Sequence, residues 1–104
     1  MSYVKHGVCR DRETANVVEE SEQEFDDFRA AFTNAIEEMQ SALGYGCNVE
    51  IDMAQASREF IQYTIYSTNV YTIYTVASKA SIAFLERAAL EAYAAMDEAF
   101  RRAR

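Results

Sequence analysis

The sequence predicts an α+β protein in two layers. Two long amphipathic helices should pack on a three-stranded antiparallel meander, in the order α-β-β-β-α. Three observations predict this. Apolar residues recur at helical spacing from Phe25 to Leu43 and again from Ile82 to Phe100, and a Tyr/Thr/Ile/Val-rich stretch between them carries an internal echo. At 104 residues the chain has room for one domain, with residues 1–20 as an N-terminal segment ahead of a core over 21–104.

The first helix is predicted over residues 21–43. Ser21 and Glu24 have capping-box spacing, and Glu22, Asp26 and Asp27 suit the positive end of a helix dipole. Phe25, Phe28, Phe32, Ala35, Ile36, Met39 and Leu43 form its stripe, and Gly44 and Gly46 mark its end. Before it, residues 3–9 offer a further short strand, and residues 10–20 read as a polar connection.

Val49-Glu50-Ile51-Asp52-Met53 alternates strictly, as a half-buried strand does, with residues 54–58 as the turn after it. A hairpin is predicted over residues 60–77, because Tyr63-Thr64-Ile65-Tyr66-Ser67 returns as Tyr71-Thr72-Ile73-Tyr74-Thr75. A three-residue loop would pair Ile65 with Ile73 and place Ile61, Tyr63, Ile65, Tyr71 and Ile73 on one face. Gln62, Thr64, Tyr66, Thr72 and Tyr74 would share the other. The last helix is predicted over residues 79–102, with Ile82, Leu85, Ala89, Ala92, Tyr93, Met96 and Phe100 as its stripe and Arg101, Arg102 and Arg104 at its negative end. At 1.5 Å per residue it should run about 36 Å, longer than a small sheet needs. The expected core is Phe28, Phe32, Ile36, Ile65, Ile73, Leu85, Ala89 and Met96.

The predicted element order resembles that of the double-stranded-RNA-binding domain, and it also resembles the opening of type III secretion chaperones. The first resemblance implies a lysine cluster gripping phosphate at the start of the last helix, where Ser78-Lys79-Ala80-Ser81-Ile82-Ala83 offers one lysine. The second would imply further strands and a third helix, which this chain lacks.

Several activities have no residues to carry them. His6-x-x-Cys9 and Cys47 fall short of a zinc ligand set, so no metal is expected. One histidine and no nucleophile motif leave no catalytic constellation, so the chain reads as non-enzymatic, with no cofactor. The longest uncharged run, residues 60–78, is interrupted by Gln62, Thr64, Ser67, Thr68, Asn69, Thr72 and Thr75, too polar for a membrane span. No secretory h-region opens the chain and two cysteines make no disulfide framework, so a reduced, soluble, cytoplasmic setting is expected.

Charge is the most informative property. The net is −7, yet residues 13–59 carry twelve acids against Arg29 and Arg58. That imbalance argues against direct nucleic-acid binding and for steering toward a partner protein with a basic surface. The expected function is an acidic protein-binding module, a small inhibitor or adaptor docking on a basic, nucleic-acid-binding surface. In size and charge it is similar to phage-encoded inhibitors such as anti-CRISPR proteins. Glu22, Asp26, Glu37, Glu50 and Asp52 are the candidate docking acids, with Tyr66 and Tyr74 as aromatic anchors. A second apolar strip on the last helix, Phe84, Ala88 and Ala95 with Leu90 apart from it, suggests a homodimer. The alternative function is a homodimeric, chaperone-like protein holding a partner segment.

Overall fold

A computed structural model describes residues 2–103; the side chains of Ala56 and Tyr93 also lie outside the described residues, so the places of Tyr93 in the last helix's stripe and of Arg104 at its end are not described. The fold is α+β, with a five-stranded antiparallel sheet and two helices. In chain order these are β1 (Tyr3–Asp11), β2 (Val17–Phe25), α1 (Phe28–Gly44), β3 (Asn48–Gln55), β4 (Phe60–Tyr66), β5 (Val70–Ser78) and α2 (Lys79–Arg102). The sheet order is β2-β1-β5-β4-β3, with every neighbour antiparallel.

The predicted three-stranded meander, β3-β4-β5, is present, but a full N-terminal hairpin extends it. Residues 21–27 are not helical. The apparent Ser21/Glu24 capping box sits in β2, whose β-branched start pairs with β1 through Val17, with Val18 as the extra residue of a bulge. The true cap is Asp27, whose carboxylate accepts from the Ala30 amide at 2.8 Å. Residues 10–20 are likewise strand and turn rather than a polar connection. Asp11 closes that turn by accepting from the Glu13 and Thr14 amides at 2.8 and 3.0 Å, which holds its carboxyl below the usual range. The order α-β-β-β-α survives from α1 to α2, but an N-terminal hairpin now precedes it, and α1 and α2 meet opposite faces of the sheet.

The hairpin of β4 and β5 forms where expected, one residue out of the expected register. Ser67 donates its amide to Val70 at 2.8 Å across a two-residue loop, so Tyr66 pairs with Tyr71 and Tyr63 with Tyr74. Ile61, Tyr63 and Ile65 therefore share a face with Thr72, Tyr74 and Val76, and Ile73 turns to the opposite one. A bulge at Asp52 does the same to β3: Val49 and Ile51 lie on one face, and Met53 on the other.

α1 covers the first of these faces. Ala31 and Ala35 are small enough to bring it close to the sheet, and with Met39 they pack on Tyr3, Ile61, Tyr63 and Val76. Gly7 belongs to this layer, because a Cβ there would come within 2.8 Å of the Tyr74 ring. Lys5 enters the same layer, paired with Glu38 and donating to Asn34 at 2.7 Å. α2 starts on the other face, where Ile82 joins Val4, Ala77 and Phe60 in a small second cluster. It then leaves the sheet.

The expected core residues are corrected accordingly. Phe28, Ile36, Ile65 and Ile73 are half-buried, and Phe32 is 38% exposed, because α1 turns Ala31, Ala35 and Met39 inward. Leu85, Ala89 and Met96 are exposed, because α2 has nothing beneath it there. Among the described residues no helix is long and apolar enough to cross a membrane.

Candidate functional site

The face of the sheet opposite α1 is covered only where α2 begins. Alternation places Val4, His6, Val8 and Arg10 of β1 on it, next to Tyr71, Ile73, Thr75 and Ala77 of β5 and Gln62, Thr64 and Tyr66 of β4. Both edges of this face are acidic. On β2 the carboxylates of Glu20, Glu22 and Glu24 stand opposite Val8, His6 and Val4, and all three are exposed. On β3 lie Glu50 and Asp52. The sheet spacing sets these two acidic edges roughly 19 Å apart.

The two edges differ in how their charge is held. Thr64 donates to Asp52 at 2.6 Å, and the Tyr66 hydroxyl donates to Glu50 at 3.1 Å. That bond, then desolvation, raises the Tyr66 hydroxyl above its ordinary pKa. The Tyr66 ring also lies 6.0 Å from Tyr71 and receives the Arg12 guanidinium at 5.8 Å. On β2 the carboxylates are freer. Glu24 takes Lys79 at 2.7 Å, which raises that ammonium's pKa, and Glu22 faces His6 across the ladder. His6 has Glu86 of α2 at 3.9 Å on its other side.

Of the predicted docking residues, the structure brings Glu50, Asp52 and Tyr66 together at one edge and places Glu22 at the other. Asp26 follows β2, in a hollow shared with Glu24 and Phe25. Glu37 is on α1, in the layer behind the sheet, and does not join them. Tyr74 lies on the α1 side, stacked on Tyr63 at 5.1 Å. Burial first, then the charge of Glu38, pushes the hydroxyls of both tyrosines well above the usual range. Tyr74 is thus a core residue, not an anchor on the open face. Tyr71 takes the position predicted for it, and the same one-residue shift explains both. Sequence reasoning also missed Glu20, Glu24 and Arg12 as parts of this face. The signal available for them was Val17-Val18 as a β-branched strand start.

His6 and Cys9 point to opposite faces of β1, so their spacing makes no ligand pair. Among the described residues no group of three His, Cys, Asp or Glu side chains is placed to hold a metal ion. Where α2 leaves the sheet, a groove of about 530 Å³ opens between Met53 and Phe60 on one side and Ser81, Phe84 and Leu85 on the other. Of the predicted dimer residues, Phe84 lines this groove, Ala88 and Ala95 lie farther along α2, and Leu90 points away from them; all four are exposed. Comparison with protein families, with curated proteins and with solved structures finds no match to this chain.

Proposed function

We propose that this protein is an acidic protein-binding module, an inhibitor or adaptor that docks on a basic, nucleic-acid-binding surface of a partner protein. The observation that carries the reading is β2, an edge strand whose outer backbone groups are unpaired within the sheet and whose side chains are dominated by carboxylates. Glu20, Glu22 and Glu24 recur on one side about every 6.8 Å, twice the strand rise. A nucleic-acid strand likewise presents a regular row of negative charges, so this row offers a basic groove charge of the same sign and kind. Glu19, Asp26 and Asp27 add to the same field, although Asp27 is also committed to capping α1.

A charged edge also protects a sheet from pairing with another chain, and part of the acidity serves that end. Protection needs charge on the edge. It does not require a row of three carboxylates on one side continuing past the last ladder pair to Asp26. Tyr66 on β4 and Tyr71 on the central strand β5 supply aromatic area on the same face, the kind of surface that holds a complex once steering has formed it.

The test uses the full chain as bait in a lysate of its source, beside a variant with Glu19, Glu20, Glu22 and Glu24 changed to Gln. The expected result is selective capture of a nucleic-acid-binding protein by the wild type alone, with that protein's own nucleic acid displacing it as salt is held constant. Capture that survives the four substitutions, or that added nucleic acid leaves untouched, overturns the reading.

A further inference from the structure

α2 has the periodicity of a helix with a partner, and this molecule provides one only for its first turns. Ile82 is buried, but beyond Glu86 no described residue of α2 is. Isolated helices of some 12–15 residues are marginal in water, so a free segment of this kind needs packing. Three heptads run through it. Ile82, Ala89 and Met96 occupy one seam position, and Leu85, Ala92 and Ala99 occupy the other. At 100° per residue these six, with Ala88, Ala95 and Phe100, span a sector about 140° wide that holds no charged side chain. Glu86, Arg87, Glu91, Asp97, Glu98 and Arg101 all fall outside it.

The pattern is complementary to itself when reversed. In an antiparallel pair centred between Leu90 and Glu91, Leu85 meets Met96 of the second copy and Ala89 meets its Ala92. Ile82, level with its Ala99, is already buried against Val4, Ala77 and Phe60 of its own sheet and closes the seam at that end. A large Leu85–Met96 layer then lies on each side of the central Ala89–Ala92 layers, where the alanines let the two backbones approach closely. This register also brings the second copy's Phe100 level with Ser81, on the wall of the 530 Å³ groove that Phe84 and Leu85 line. Each molecule therefore carries a groove at one end of the seam and a phenylalanine, 68% exposed, at the other.

The area is sufficient. Phenylalanine side chains bury about 150–250 Å² each, so Phe84 and Phe100 of two copies, about two-thirds exposed, supply roughly 400–700 Å². Leu85, Met96 and the five alanines of each copy bring the total to roughly the 1,200 Å² at which standard interfaces begin. We infer that α2 is a dimerisation helix, pairing antiparallel with α2 of a second copy through the Leu85–Ala99 seam and seating Phe100 in the groove beside Phe84. Such a two-fold contact is closed and isologous, so it ends at two copies. It is independent of the acidic surface on β2, and either can fail alone.

Sedimentation of the full chain over a wide concentration range tests it. The wild type should reach a dimer, and Ala92→Glu, which sets a carboxylate in the centre of the seam, should raise the dissociation constant by about a hundredfold or more. Phe100→Ala should raise it roughly tenfold or more, and Leu90→Glu, on the far side of the helix, should leave it unchanged. Ala92 is exposed in the single chain, so an intact circular dichroism spectrum at low concentration is expected for that variant. For orientation, A89C and A92C are made separately in a C9S/C47S background. Mixed and oxidised, they should cross-link to each other rather than to themselves. A wild type that stays monomeric at its highest soluble concentration, a dimer weakened equally by L90E and A92E, or self-cross-linking in preference to mixed cross-linking would overturn the inference.

Discussion

α1 and α2 carry the same kind of apolar stripe and meet opposite fates. α1 is held at both ends by strands of the sheet, and its inward residues, Ala31, Ala35 and Met39, are fully or almost fully buried. Among the described residues α2 meets the sheet only at its start. Its stripe contributes Ile82 to the interior and then runs into solvent, with Met96 54% exposed. A periodic pattern identifies a face that needs covering. It does not identify what covers it, and the tethers decide that. A helix between two strands of the sheet is forced onto it, whereas α2, joined to the sheet through β5, meets it only at its start.

The largest expected effect would break this comparison most directly. Tyr63 is fully buried beneath α1, so Tyr63→Ala should cost about 3–5 kcal/mol in denaturant unfolding. Met96→Ala, measured at a concentration where the chain is a single copy, should change stability by no more than about 0.5 kcal/mol. Equal costs would mean that α2 is covered within its own chain. Tyr63→Phe sharpens the point, because the hydroxyl is buried without a partner and removing it should leave stability unchanged or improved.

A second contrast lies between two Lys–Glu pairs. Lys5 and Glu38 join β1 to α1, with side chains 8% and 29% exposed, whereas Lys79 and Glu24 join α2 to the β2 edge in open solvent. Lys5→Met leaves the shielded Glu38 carboxylate beside the Tyr63 and Tyr74 hydroxyls without its cation and should cost about 3 kcal/mol. Adding Glu38→Leu should recover much of that loss. Lys79→Met should leave the unfolding midpoint where it was, because water and salt already screen that pair. A large effect at Lys79 would show that the α2 end of the sheet is as buried as the α1 end.

Much of this was legible in the sequence, and the failures share a cause. The bounds of α2 were readable, and so was the place of the hairpin of β4 and β5, because each rests on local periodicity. β2 was not. An edge strand exposed on both faces needs no alternation of apolar and polar residues, and Glu19 to Glu24 look equally well like the acidic first turn of a helix. Its true assignment depends on pairing with β1, which no local pattern records. The hairpin register failed for a related reason. Sorting isoleucines from threonines favoured a three-residue loop, but Tyr74 is the better core residue once Gly7 leaves room for its ring. The docking site inherited both errors. Glu50, Asp52 and Tyr66 come together because β3 and β4 were assigned correctly, while Tyr74 was placed on the wrong side.

The smallest effects concern the caps, and they separate the helices most sharply. Asp27 caps α1 and Ser78 caps α2, each accepting from an amide three residues on, at 2.8 and 3.2 Å. Removing such a cap costs about 1 kcal/mol of helix stability. In α1 that loss must appear in global unfolding, because the helix cannot fray without uncovering Ala31 and Ala35. Asp27→Ala should therefore lower the unfolding free energy by about 1 kcal/mol. In α2 the turns after Glu86 rest on nothing in the single chain, so they open without the sheet noticing. Ser78→Ala should accelerate hydrogen exchange at the α2 amides while leaving the amides of β1 and β5 protected as before. At concentrations where two copies pair, that acceleration should fade, because the same amides would then be covered. A cap whose loss is felt globally in α2, at every concentration, would mean that the helix already has its partner.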